Sequence, residues 1–82
     1  MEKLNEHWSK EVQELTLNKL DLFSCVKNYK EPCNGIISDW ENPASITISN
    51  VVVENYMPHP GDKIIAKYES IQDMIKDGWV ID

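Results

Sequence analysis

The sequence predicts an α+β fold: a small single domain in which an N-terminal helix packs on a mainly antiparallel four- to five-stranded sheet, with a short second helix near the C-terminus. Three observations lead to this prediction. Apolar residues recur at helical spacing near the N-terminus, they alternate with polar residues in the middle, and a capped apolar segment follows near the C-terminus. A chain of 82 residues has the size of one domain, so residues 1–82 are expected to form a single core.

The N-terminal helix is predicted from four apolar residues at spacings of four, four and three, which are Leu4, Trp8, Val12 and Leu15. Charged and polar residues fill the positions between them. This pattern is typical of an amphipathic helix, and its apolar stripe is expected to pack on the sheet. Trp8 is therefore expected in the seam between helix and sheet.

The first two strands are predicted on either side of a turn. β-prone residues favour a strand from Leu22 to Tyr29. Asn34-Gly35 is the strongest turn signal, because a type I′ turn needs positive φ at both central positions. Residues 36–40 are then expected to return antiparallel to the first strand. Pro32 cannot donate to a ladder, so this end of the first strand is expected at a sheet edge, and Asn42-Pro43 is the next break.

The clearest strand is predicted from Ser45 to Ser49, where two isoleucines alternate with serine and threonine. This alternation indicates one buried and one solvated face. The apolar phase then slips by one residue, to Val51 and Val53. A one-residue bulge near Asn50 would keep all these apolar residues on the core side.

The last third of the chain is predicted as connection, strand, helix and strand. Residues 57–62 contain two prolines and are expected to form a rigid connection before a fourth strand at 63–68. The Ser70 hydroxyl can cap a short helix, and Gly78 can adopt the left-handed conformation after its last turn. Residues 79–81 are predicted to close the chain as a short strand.

Negative charge is concentrated in the middle of the chain. The net charge is −6, the chain has no arginine, and residues 31–62 contain five acidic residues but no lysine. A localised negative field acts on partner choice and association rate, and it disfavours nucleic acid or an anionic membrane as the partner. Without arginine, phosphate-rich ligands also lose their preferred anchor. The five acidic residues are Glu31, Asp39, Glu41, Glu54 and Asp62.

No pattern of residues predicts catalysis, a cofactor or a metal site, so the chain is expected not to be an enzyme. His7, Cys25, Cys33 and His59 are spaced like no compact zinc site, and neither cysteine lies in a nucleophile motif. The three glycines are isolated turn residues and form no phosphate-binding loop. The N-terminus lacks a secretory pattern, so a cytoplasmic protein with reduced cysteines is expected.

The candidate partner-binding residues lie in the acidic stretch. Asp39 and Glu41 share one face of a predicted strand, as a solvated acidic surface or as an acid–base or cation-binding pair. Trp40 points to the opposite face, into the core or as an exposed anchor. The proline-stiffened loop adds an aromatic and a thioether, which give contact area at low entropic cost. The full set is Asp39, Trp40, Glu41, Glu54, Tyr56, Met57 and His59.

These features favour a small acidic protein-binding module, an inhibitor that occupies a basic or nucleic-acid-binding surface of its target. Phage anti-defence factors and immunity proteins that neutralise nuclease toxins are similar in size and charge, although no motif connects the chain to either group. The alternative is an oligomeric sensor or sequestering protein for a nucleotide or metabolite. Its pocket would lie between subunits, because one core of this size leaves little room for a cavity.

Overall fold

A computed structural model of the protein describes residues 2–30, 33–41 and 45–82, with the side chains of Cys33 and Glu41 outside that description. Within these residues, two helices and five strands form an α+β arrangement, which confirms the predicted fold class. Their order is α1 (Lys10–Lys19), β1 (Cys25–Asn28), β2 (Cys33–Glu41), β3 (Ser45–Glu54), β4 (Met57–Tyr68), α2 (Ile71–Lys76) and β5 (Trp79–Ile81).

The five strands form one antiparallel sheet in the spatial order β4-β3-β2-β1-β5. Strands β1 to β4 are neighbours in sequence and in space, and β5 returns to pair with β1. Strands β4 and β5 are therefore the two edges. At the β5 edge, the amide of Ile81 donates to Thr16 Oγ1 of α1 at 3.0 Å, so this donor is not left open to another strand.

The hydrophobic core is built on the sheet, on α2 and on the end of α1. Its cluster consists of Leu20, Val26, Ile37, Ile46, Ile48, Met74 and Trp79. Four partly buried side chains pack against it, namely Trp40, Ile65, Tyr68 and Ile71. Trp40 therefore contacts the core, which is the first of the two roles expected for it.

Helix α1 begins later than the apolar spacing predicted. The Ser9 hydroxyl accepts a hydrogen bond from the amide of Val12 at 3.2 Å and caps the helix. Leu4 and Trp8 therefore precede the helix. The expectation that Trp8 fills a seam beneath the helix is wrong. Its Nε1 donates to the carbonyl of Gly78 at 2.7 Å, and its ring remains partly exposed.

The buried face of α1 is polar where the sequence predicted an apolar stripe. Leu15 is 47% exposed, whereas Gln13 is fully buried. Oε1 of Gln13 accepts hydrogen bonds from the amides of Leu4 and Asn5 at 2.8 and 3.2 Å. Nε2 of the same side chain donates to the carbonyls of Asn5 and Trp8 at 2.7 and 2.9 Å. The predicted stripe is wrong because α1 uses this buried face to hold the segment that precedes it.

The predicted turn at Asn34-Gly35 is also wrong. Both residues lie inside β2 and pair with β1, in an antiparallel hairpin whose existence is confirmed. Gly35 is buried, and the side chain of Ile48 occupies the space where a Cβ atom would be. The glycine therefore permits a close approach inside the sheet, and its tolerance of positive φ is not used.

Strand β3 confirms the predicted strand and extends it to Glu54. Its register with β4 is irregular between Ile48 and Val51, close to the predicted bulge. The bulge does not keep the following valines buried, since Val53 is 68% exposed. The predicted connection at 57–62 is wrong, because these residues form the first half of β4. Proline is tolerated there because β4 is an edge strand.

The C-terminal elements were predicted correctly. Ser70 Oγ accepts a hydrogen bond from the amide of Asp73 at the start of α2, Gly78 has φ 105°, and β5 follows. Cys25 is a free thiol. The proposed breaks at Pro32 and Asn42-Pro43 lie outside the described residues. Neither helix in the described ranges has the length and apolar character needed to cross a membrane.

Candidate functional site

Residues 50–62 of the β3–β4 hairpin lie beyond the part of β3 that pairs with β2, and we call them the hairpin arm. The pairing of β3 with β2 ends at Ser49 opposite Ile36, whereas its pairing with β4 continues to Glu54 opposite Met57. The hairpin arm is therefore two strands wide. A two-stranded hairpin is only marginally stable by itself in water, so the position of the arm depends on its base.

Asn50 packs the base of the hairpin arm. Its Oδ1 accepts a hydrogen bond from the amide of Lys63 at 3.0 Å, across the place where the β3–β4 register shifts. Its side chain also lies against Gly61 and leaves no room for a Cβ atom there. These two contacts of Asn50 tie β3 to β4 at the base of the arm.

The tip of the hairpin arm is a two-residue turn with a left-handed backbone at both positions. Asn55 has φ 52° and Tyr56 has φ 65°. Asparagine tolerates this conformation, but glycine is favoured at the second position, where a residue with a Cβ atom costs roughly 1–2 kcal/mol. The Tyr56 side chain is 100% exposed, so no packing within the chain offsets that cost.

A groove of about 610 Å³ lies between the hairpin arm and the start of β1. Its described lining residues are Phe23, Glu54, Met57, Pro58, His59 and Pro60. Phe23 is 57% exposed and has φ 68°, and its amide donates to the carbonyl of Ile37 at 2.8 Å. This bond places an exposed aromatic ring beside β2, facing the arm.

In the part of the chain that the structure describes, glycine apart, left-handed backbone is confined to the groove and the tip of the hairpin arm. Of the described residues other than glycine, three have positive φ, namely Phe23, Asn55 and Tyr56. The first lines the groove and the other two form the tip of the hairpin arm. Two of the three are exposed aromatic residues, for which this backbone conformation is a genuine outlier.

The structure brings together four of the seven predicted site residues. Glu54, Met57 and His59 line the groove, and Tyr56 lies at the tip between the first two. The other three, Asp39, Trp40 and Glu41, belong to β2.

The β2 residues stand apart from the hairpin arm. Asp39 is exposed and pairs with Thr47 of β3, while the side chain of Glu41 lies outside the described residues. Glu54 follows Thr47 by seven residue steps along β3, which is a path of roughly 23 Å. The acidic residues of the middle stretch are therefore divided between two parts of the sheet.

The sequence interpretation missed Phe23, Pro58 and Pro60 as groove residues. Phe23 falls within the strand predicted from Leu22 to Tyr29, because nothing in the local sequence indicates its positive φ. The two prolines fall within the connection predicted at 57–62. The spacing of the two prolines was the available signal. Prolines at every second position fit an edge strand, because their backbone nitrogens then all point away from the neighbouring strand.

A second cavity, of about 220 Å³, lies between β1, β4 and the α2–β5 turn. Its described lining residues are Asn28, Lys30, Ile65, Ala66, Tyr68, Asp77 and Trp79. At its rim, Lys30 Nζ lies 2.6 Å from Asp77 Oδ1, and the Tyr68 hydroxyl donates to Asp77 Oδ2. The cavity thus combines an apolar floor with a rim of hydrogen-bonded polar groups.

The pKa values of Asp77, Lys30 and Tyr68 at the rim differ from the ordinary values of these groups. Hydrogen bonds from Lys30 and then from Tyr68 lower the pKa of Asp77. The hydrogen bond to Asp77 raises the pKa of Lys30. Burial raises the pKa of Tyr68, and its bond to Asp77 raises it further. At neutral pH the rim therefore consists of a charged pair and a neutral phenol.

The Asp77 contacts are expected to make stability depend on pH. Because the folded-state pKa of Asp77 is lowered, its contribution is present above the unfolded value of about 3.9 and is lost as pH falls through the folded value. Asp77→Asn should therefore lower the melting temperature by a few degrees at most near pH 7, since the pair is exposed. The difference from wild type should shrink below about pH 4. A difference that is the same at pH 3 and pH 7 would contradict this assignment.

Comparison of the chain with protein-family models, with curated proteins and with solved structures finds no match. Among the described residues, no three histidine, cysteine, aspartate or glutamate side chains lie together as a metal site would require. The hairpin arm, the groove and the second cavity are therefore the features that bear on function.

Proposed function

We propose that the protein binds another protein through the groove and the tip of the hairpin arm, and that it inhibits this partner by covering a basic surface. The observation that carries the proposal is Tyr56, a fully exposed aromatic residue with φ 65° at a turn position that favours glycine. Backbone strain of this kind persists where a functional requirement opposes the local preference. An exposed tyrosine is also a common anchor in protein interfaces.

The surface around Tyr56 supports the same proposal. Met57 and Val53 on the hairpin arm and Phe23 on the opposite wall of the groove are each more than half exposed, and exposed apolar side chains gathered in one region are typical of a contact surface. Glu54 lies in the groove and Asp62 at the base of the arm, within a chain of net charge −6. Such charge would steer a partner with a basic surface and raise its association rate. A target that binds nucleic acid through that surface would be blocked.

The biological setting belongs to the proposal as well. An inhibitor of this kind would work in the cytoplasm, where the free thiol of Cys25 remains reduced. A phage anti-defence factor or an immunity protein would have this size, charge and mode of action. The proposal involves no direct contact with nucleic acid or a membrane.

Affinity capture from a lysate with paired variants tests the proposed function. Phe23→Ser combined with Met57→Ser removes apolar contact area from both walls of the groove, so the specific partner should be lost from the captured proteins. Leu15→Ser is the matched control, because Leu15 is similarly exposed but lies on α1, which packs at the β5 edge. Quantitative mass spectrometry gives the measurement. A protein that is captured equally by the wild type, the double variant and the Leu15→Ser control does not bind the groove.

A second candidate function rests on the cavity of about 220 Å³ at the Lys30–Asp77 rim. This cavity lies within one chain, unlike the pocket between subunits that the sequence suggested for a small-molecule sensor. A nucleotide or metabolite that binds there should raise the melting temperature of the wild type and leave that of Asp77→Asn less affected. A thermal-shift panel measures this. The first proposal is favoured because the rim groups already satisfy one another.

A further inference from the structure

We propose that the groove takes an apolar side chain from a lysine- or arginine-rich segment of the partner, and that this segment docks by its side chains without adding a strand to the sheet. The inference depends on the proposed function and specifies the chemistry of the partner. It follows from the two edge strands and from the groove lining.

The edge of β4 in the hairpin arm cannot donate the hydrogen bonds that an added strand needs. Glu54 and Met57 flank the two-residue turn as a hydrogen-bonded pair, so Pro58 and Pro60 occupy the positions whose backbone nitrogen faces outward. Proline has no amide hydrogen. The outer edge of the arm therefore offers carbonyl groups alone at these two residues, which is a recognised protection against strand addition.

The β5 edge of the sheet is protected against an added strand in a different way. The amide of Ile81 in β5 already donates to Thr16 Oγ1 of α1. Because β5 is three residues long and lies against α1, a partner strand would have to displace the helix. The β5 edge and the outer edge of the hairpin arm at Pro58 and Pro60 are therefore unsuited to a partner that binds by backbone pairing. The side of β3 that β2 leaves unpaired, at 51–54, is tested with the N-methylated peptide below.

The groove itself indicates what a docked side chain would contact. Phe23 forms one wall, and Met57, Pro58 and Pro60 form much of the other. Of the described lining residues, Glu54 is the one carboxylate and none is a lysine. An apolar side chain can therefore be buried between the walls while a neighbouring lysine or arginine lies near Glu54. Charge complementarity then fixes the orientation of the segment.

Short peptides and the intact ¹⁵N-labelled protein test this inference. The probe is an acetylated and amidated hexapeptide with two central leucines between pairs of lysines. One control replaces the leucines with serine, another replaces the lysines with glutamate, and a third carries N-methyl groups on the leucine amides. The lysine–leucine peptide should shift the amide signals of Phe23, Glu54 and Met57. It should bind at least about tenfold more tightly than the serine and glutamate controls.

The N-methylated peptide decides between side-chain docking and strand pairing. It should bind about as well as the parent, because its side chains are unchanged and it lacks only backbone donors. Loss of binding would overturn the inference and indicate pairing with β3 at 51–54, where β2 no longer pairs. Equal binding of the serine or glutamate control would overturn it too. So would groove signals that shift with protein concentration alone, since a second copy would then be the occupant.

The capture experiment separates this inference from the proposed function. If no peptide shifts the groove signals but the Phe23→Ser and Met57→Ser variant still loses the partner, the groove binds a protein of different chemistry. The proposed function then stands and the inference fails. If the variant also retains the partner, both fail.

Discussion

Replacing Gln13 with leucine is expected to destabilise the protein by about 3–5 kcal/mol, which is a large part of the stability of a domain of this size. The Gln13 side chain is fully buried and makes four hydrogen bonds to the backbone of residues 4–8. Leucine has a similar size but cannot bond these groups. Two amides and two carbonyls would lose their partner, at about 1–3 kcal/mol for each that stays buried.

Urea unfolding followed by tryptophan fluorescence measures this loss. Trp8 is a suitable reporter, because its carbonyl is one of the groups that Gln13 holds. Leu15→Ala on the same helix is the matched control and should cost less than about 1 kcal/mol, since Leu15 is 47% exposed. If Leu15→Ala proved the more damaging change, the apolar stripe would be the buried face and the described packing of α1 would be wrong.

The contrast between Leu15 and Gln13 explains why the helix was predicted in type but not in detail. Spacing identifies a helix because it reports local geometry. Spacing does not show that a polar side chain is buried. Gln13 is buried because the backbone of the segment before the helix needs its hydrogen bonds. The helix begins after the Ser9 cap, whereas the apolar residues before it predicted an earlier start.

Elements fixed by local chemistry were the ones predicted well. The Ser70 cap and the left-handed Gly78 depend on residues within one or two turns of each other. Asn34-Gly35 shows the opposite case. Its local preference for a turn is overridden by the close approach of Ile48 inside the sheet, and that contact joins residues distant in sequence.

The candidate site was predicted in part for the same reason. Composition pointed to Glu54, Tyr56, Met57 and His59, because they form an aromatic, proline-flanked and acidic segment. The opposite wall of the groove is Phe23, which lies about thirty residues earlier and is brought there by the bond to Ile37. No local pattern could supply that pairing. The turn at Asn55-Tyr56 was missed because tyrosine replaces the glycine that would have marked it.

Tyr56 at this turn position is expected to favour binding at the expense of stability. Tyr56→Gly is expected to leave the fold intact and to stabilise it by up to about 1 kcal/mol, because glycine adopts φ 65° without strain and the lost side chain is fully exposed. Binding to the captured partner should nevertheless weaken by about 30-fold or more, as removal of an anchoring tyrosine from an interface commonly costs about 2 kcal/mol or more. The loss should appear mainly in the dissociation rate.

Two measurements on the Tyr56→Gly variant test this prediction. Its melting temperature shows whether the backbone strain is relieved, and surface-plasmon kinetics with the partner show how much binding depends on the tyrosine ring. Tyr56→Asn is the matched control: asparagine also tolerates the left-handed conformation, so it should keep the fold while losing the ring and the affinity. A less stable Tyr56→Gly protein would show that the tyrosine serves the fold. Unchanged affinity would show that the strained aromatic tip has no part in binding. A gain in stability together with a loss of affinity is the result expected of a residue kept for its partner at the expense of its own turn.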